Sequence, residues 1–124
     1  MKNLKLFVDD FRDAPDDTWN VARTTEEAIR AIATMEFSEI SLDHDIENRP
    51  ETFQPVAYFI GVKYYTDMPV DIEVGGKIHK MRPLLGPKIF IHSGNPVGAQ
   101  NMVDILQSYG ITSILTPIFR WERT

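Results

Sequence analysis

Three short apolar runs in this chain each stop at residues able to do acid–base or ligand chemistry, and no other feature narrows the possible folds as much. Leu4-Lys5-Leu6-Phe7-Val8 ends in Asp9-Asp10, Ile40-Ser41-Leu42 ends in Asp43-His44-Asp45, and Ile89-Phe90-Ile91 ends in His92-Ser93-Gly94-Asn95. Runs this short and this rich in Ile, Leu, Val and Phe read as strands buried on both faces, the habit of parallel sheets covered by helices. In an open α/β sheet the C-terminal ends of the strands form the edge that holds ligands. Polar tips far apart in sequence would meet there.

The segments between these runs supply the helices that such a sheet needs. Thr24 to Met35 has a possible capping box in Thr24 and Glu27, with Ala28, Ile29, Ile32 and Met35 recurring at helical spacing. Phe53 to Tyr65 reads as a second helix, and Asn95 followed by Pro96 reads as the N-cap and first residue of a third, which Gly110 stops. Trp19 to Arg23 and Ile111 to Leu115 are further strand candidates. Val70 to Val74 and Lys77 to Met81 alternate around Gly75-Gly76, the pattern of a β-hairpin inserted near residues 70–82. Strands alternating with helices imply a mainly parallel sheet with helices on its faces.

At 124 residues the chain is expected to be one domain, residues 1–124, and 43% hydrophobic residues are enough to build its core. The absence of cysteine excludes disulfides, thiolate ligands and a cysteine nucleophile. No apolar run approaches the ~20 residues of a membrane span, so the expectation is a soluble, cytoplasmic protein with no membrane partner. A formal charge of −5 argues against a protein that coats duplex DNA. It leaves room for a small phosphorylated ligand. The basic cluster Lys63, Lys77, Lys80, Arg82 and Lys88 reads as a solvated face.

Carboxylates crowded at one edge repel, so protons or a cation must neutralise them. Oxygen-only ligands suit Mg²⁺, Mn²⁺ or Ca²⁺. Asp10 and Asp43 are the expected direct ligands, with Asp9 or Asp45 joining directly or through water. His44 and His92 could act as general acid and base, or could enter the metal shell and favour Mn²⁺; both roles stay open. Ser93, Gly94 and Asn95 lead into a helix N-terminus, where a phosphate could dock, although an ordinary capped helix has the same look. Arg12 is a candidate phosphate contact, or a partner of Asp13 or Asp16.

Taken together, Leu6-Phe7-Val8-Asp9-Asp10-Phe11-Arg12, Ser41-Leu42-Asp43-His44-Asp45 and Ile91-His92-Ser93-Gly94-Asn95-Pro96 resemble the cyclic-phosphate-processing receiver-like family, itself similar to bacterial response-regulator receivers. The resemblance implies a flavodoxin-like, three-layer α/β fold, with Asp9 and Asp10 in the receiver acidic pair, Asp43 at the phosphoryl-accepting position and Ser93 as the receiver hydroxyl residue. Where a receiver's last strand ends in Lys-Pro this chain has Thr116-Pro117, and the first receiver helix is replaced by the loop from Arg12 to Thr18. These departures point away from aspartyl-phosphate signalling. The added His44, Asp45, His92 and Asn95 point toward the processing family. What the resemblance then implies is a divalent-metal-dependent (Mg or Mn) phosphoesterase acting on 2′,3′-cyclic phosphate RNA ends or cyclic nucleotides. The alternative is a non-catalytic, receiver-derived module binding a phosphorylated ligand or a protein partner.

Overall fold

The computed structural model describes residues 4–47, 49–64, 70–81 and 86–116. Its elements run β1 (Lys5–Val8), β2 (Trp19–Ala22), α1 (Thr25–Thr34), β3 (Glu39–Leu42), α2 (Gln54–Tyr64), β4 (Val70–Val74), β5 (Lys77–Met81), β6 (Lys88–Ile91), α3 (Pro96–Ser108) and β7 (Ser113–Leu115). Five strands form one parallel sheet in the order β2-β1-β3-β6-β7. With the β4–β5 hairpin set aside as its own two-stranded sheet, this is the flavodoxin-like order. The point where that order reverses lies between β1 and β3.

The register sorts the side chains. Leu6 pairs with Ile40 and Ile40 with Ile89, while Val8 pairs with Leu42 and Leu42 with Ile91, so these residues share one face of the sheet. They form a single core with Ala28 and Ile32 of α1, Val56, Ala57 and Ile60 of α2, and Ala99, Met102 and Leu106 of α3. Fully burying each large aliphatic side chain contributes roughly 1.5–3 kcal/mol. Among the described residues all three helices pack on this face. The connection between β1 and β2 is the expected loop, in which Asp13, Pro15, Asp16 and Asp17 disfavour a helix.

The same register puts Phe7, Ser41, Phe90 and Ile114 on the opposite face. Phe7 and Ser41 are buried there, and Trp19 meets the Phe7 ring edge-on at 6.2 Å.

Local signals explain the helix boundaries. Thr24 caps α1 by accepting from the Glu27 N–H at 3.1 Å, and Met35 ends it. The helix α2 stays within the expected span, whose last residue, Tyr65, lies outside the described residues. Asn95 caps α3, with Pro96 at its first position. The hairpin forms at the expected residues, with Gly75 and Gly76 at φ 60° and 80°. The last strand is shorter than expected and starts at Ser113. No helix among the described residues is long and apolar enough to cross a membrane.

Candidate functional site

Parallel strands that end in register deliver Asp9, Asp43 and His92 side by side. The Asp9 N–H donates to the Ala22 carbonyl, the Asp43 N–H to the Val8 carbonyl and the His92 N–H to the Leu42 carbonyl, so all three backbones are still held by the sheet. The three residues are 0%, 3% and 0% exposed. Charged and polar groups buried this deeply must find partners.

Asp9 is saturated. Its Oδ1 accepts from the backbone N–H groups of Phe11 (3.0 Å) and Arg12 (2.9 Å), and its Oδ2 from Arg12 Nη1 (3.1 Å) and His92 Nε2 (3.0 Å). Burial alone would raise this carboxyl. The hydrogen bond from His92 and those from the Arg12 and Phe11 backbone outweigh burial and hold it at about 2. Because Asp9 can only accept, His92 Nε2 carries the proton, and Nδ1 then accepts from the Ser41 hydroxyl at 2.6 Å. The ring stacks on Phe7, with centroids 4.4 Å apart and planes 7° from parallel.

Asp43 is in the opposite electrostatic state. It accepts from Arg12 Nη1 at 3.1 Å and from the His44 N–H at 2.8 Å, yet burial, and then the charge of Asp9, push its carboxyl upward. Asp10 completes the group. One of its oxygens accepts from the Glu47 N–H at 2.6 Å, and the other, Oδ1, is buried with no hydrogen-bond partner. Oxygens of Asp9, Asp10 and Asp43 lie within 4.8 Å of one another, a spacing that can hold a metal ion. The buried, unpartnered Asp10 oxygen and the all-carboxylate donor set fit a hard divalent cation.

Asp45 stands outside this group. Its Oδ1 accepts from His44 Nδ1 at 2.6 Å and from Asn95 Nδ2 at 3.2 Å, and the bond from His44 leads in holding its carboxyl below the usual range. His44 Nε2 in turn accepts from the Gln54 amide at 3.1 Å. Asn95 serves two elements, since its Oδ1 also caps α3 through the Gly98 N–H at 3.0 Å. The Ser93 hydroxyl accepts from the Asn95 N–H at 3.1 Å.

An open cleft of about 580 Å³ lies against these residues, lined by Asp10, Phe11, Arg12, Asp43, Asp45 and Gly94 on the side of the strand tips. Neither histidine lines it. His44, 7% exposed, stands behind Asp45, and His92 stands behind Asp9. Thus every expected site residue gathers at this edge, but Asp10, Asp43, Asp45 and Arg12 line the cleft while Asp9 is buried beneath it and the imidazoles brace Asp9 and Asp45.

Several residues of the arrangement carry little or no sign of their role in the sequence. Ser41 orients His92, and its one visible signal is a hydroxyl inside an apolar strand. Gln54 holds His44, and Arg23 Nη1 donates to the carbonyls of Asp9 (3.2 Å) and Arg12 (2.6 Å); neither carries a local signal. The Phe11 ring stacks on the Arg12 guanidinium at 4.5 Å. Thr116, just past β7, turns its hydroxyl to the Ile91 carbonyl at 3.3 Å.

Among known families, the one described as the cyclic-phosphate processing receiver domain matches residues 4–108. No curated protein and no solved structure matches the chain.

Proposed function

Because the chain belongs to the cyclic-phosphate processing receiver family, we propose that it is a divalent-metal-dependent phosphoesterase that opens a cyclic phosphate on a nucleotide or at an RNA end. The observation that carries this reading is the convergence of Asp9, Asp10 and Asp43 within 4.8 Å beside the cleft. Asp10 and Asp43, with Asp9, would hold Mg²⁺ or Mn²⁺. Such an ion, when bound, supplies charge neutralisation and polarisation at a phosphoryl oxygen.

The chain's own residues do the rest. Arg12 lines the cleft and offers a guanidinium to the phosphate, the geometry that side chain recognises best. Ser93 retains its O–H to donate to the same anion. Asp45, on the cleft wall, accepts a proton from the attacking water as that water's oxygen bonds to phosphorus and the P–O bond to one ribose oxygen breaks, the departing ribose oxygen taking its proton from solvent in the open cleft. His44 keeps Asp45 oriented and ionised through Nδ1–H, and Asn95 holds the same carboxylate. His92 acts through Asp9, because burial and its two ring bonds keep it from touching substrate. Proton transfer therefore moves from the histidines to Asp45, and both imidazoles become positioning residues.

Turnover of 2′,3′-cyclic nucleotides in Mg²⁺ or Mn²⁺ tests this reading, with Asp43→Asn expected to lower it on the order of 10²-fold or more. Metal binding without turnover of any cyclic phosphate would overturn it. One observation favours the alternative, a module that binds a phosphorylated ligand without chemistry: neither imidazole reaches the cleft. Calorimetry showing nucleotide binding unchanged by Asp43→Asn, again without turnover, selects that alternative.

A further inference from the structure

Arg12 already sits where the carboxylates most need positive charge. A single nitrogen, Nη1, lies 3.1 Å from Asp9 Oδ2 and 3.1 Å from Asp43 Oδ2, bridging the tips of β1 and β3. The backbone of Arg12 is fixed independently of its side chain. Its N–H donates to Asp9 Oδ1 at 2.9 Å, and its carbonyl accepts from Arg23 at 2.6 Å. The guanidinium can therefore leave by side-chain torsion while the loop stays in place. Phe11, 54% exposed on the cleft wall, offers a ring face along which it can slide.

The oxygens that Arg12 bridges belong to two of the three carboxylates that would bind a divalent ion. Two cations competing for the same oxygens within a few ångströms repel strongly in a buried site. Asp10 lies outside the Arg12 bridge and has a buried oxygen with no hydrogen bond, so an arriving ion finds one ligand uncontested.

We propose that Arg12 is the resident counter-ion of this site: a divalent ion replaces it between Asp9 and Asp43, and the released guanidinium turns into the cleft to grip the phosphate. This rests on the reading that the three carboxylates bind metal. Metal and phosphate binding are then coupled through one side chain, since the ion makes the guanidinium available.

Mn²⁺ titrated by calorimetry into the wild type and Arg12→Gln tests the exchange. Loss of the competing charge-assisted bonds is expected to tighten Mn²⁺ binding at least about tenfold. Should Arg12→Gln fail to fold, Arg12→Lys keeps the charge with poorer bridging geometry and is expected to bind Mn²⁺ more tightly than wild type by a smaller factor. A direct readout separates displacement from mere relief of charge. The Arg12 side-chain N–H resonance is expected to shift on Mg²⁺ addition with the midpoint of binding. Equal Mn²⁺ affinity in wild type and variants, or an unmoved resonance at saturating Mg²⁺, overturns the exchange while leaving the metal site standing. Absence of Mn²⁺ binding in every form overturns the metal site and the exchange together.

Discussion

Gly98 and His44 approach so closely that a Cβ on Gly98 would lie 2.3 Å from His44 Nδ1 and 2.4 Å from its Cγ. Gly98 occupies the third position of α3, where glycine is otherwise a poor choice for a helix. The absent side chain is what lets the start of α3 back the imidazole that braces Asp45.

Gly98→Ala is accordingly expected to destabilise the protein by about 1–3 kcal/mol, although alanine is the better helix former. The His44 ring cannot yield cheaply, because it is bonded to Asp45 on one side and Gln54 on the other. Urea unfolding measures the loss. Val97→Ala, at a neighbouring position that is 72% exposed, is expected to change little. Equal stability of the two variants would show that His44 is free to move.

His92→Phe separates what the imidazole packs against from what it bonds. Phenylalanine keeps a flat ring against Phe7 but leaves Asp9 Oδ2 and the Ser41 hydroxyl each short of one partner. The expected cost is about 1–3 kcal/mol. Because Asp9 also loses orientation, Mn²⁺ affinity is expected to fall about tenfold. Unchanged affinity in a folded variant would mean that His92 serves the core alone.

Acid sensitivity should centre on Asp9. Its folded carboxyl is held at about 2 against an ordinary value of 3.8. The stabilisation is therefore complete above about pH 4 and is lost as pH falls through about 2, amounting to about 2 kcal/mol. Asp43, raised by burial and then by the Asp9 charge, works in the opposite sense, because protonating it on acidification favours the folded state. Unfolding midpoints taken from about pH 5 to about pH 2 should therefore drop in the wild type and drop less in His92→Phe, which lacks the bond that lowers Asp9. The same fall in both proteins would remove Asp9 as its source.

The strand tips are legible in the sequence because a buried parallel strand announces itself by an unbroken apolar run, and the polar residues just past the run mark the sheet edge. Asp9, Asp43 and His92 meet for that reason alone. Which way each tip points is not legible. His44 and His92 look equivalent in sequence, yet one braces an exposed carboxylate and the other a buried one. That difference depends on Gln54, Ser41 and Gly98, whose partners lie in other elements. The single helical layer among the described residues is only half visible. Pro15 and the aspartates around it deny a helix between β1 and β2, but no periodicity says what covers the far side of a sheet.

Asp10 offers the sharpest test of the proposed metal site. Its Oδ1 is buried with no hydrogen bond, close to the carboxylates of Asp9 and Asp43, while its other oxygen already accepts from the Glu47 N–H. In Asp10→Asn the amide oxygen keeps the bond to Glu47, and the amide nitrogen becomes a donor beside two carboxylates. Without divalent ions the variant should melt at or slightly above the wild-type temperature, since one negative charge has gone and a buried acceptor with it. With Mg²⁺ at about 100 times the dissociation constant of the proposed site, the wild type is expected to gain about 2.7 kcal/mol, a rise of several degrees in Tm. Asp10→Asn has lost a charged ligand and should show little of that rise. Melting curves of the two proteins with Mg²⁺ and with a chelator decide the matter. If both rise equally on adding Mg²⁺, the ion binds somewhere other than the tips of β1 and β3.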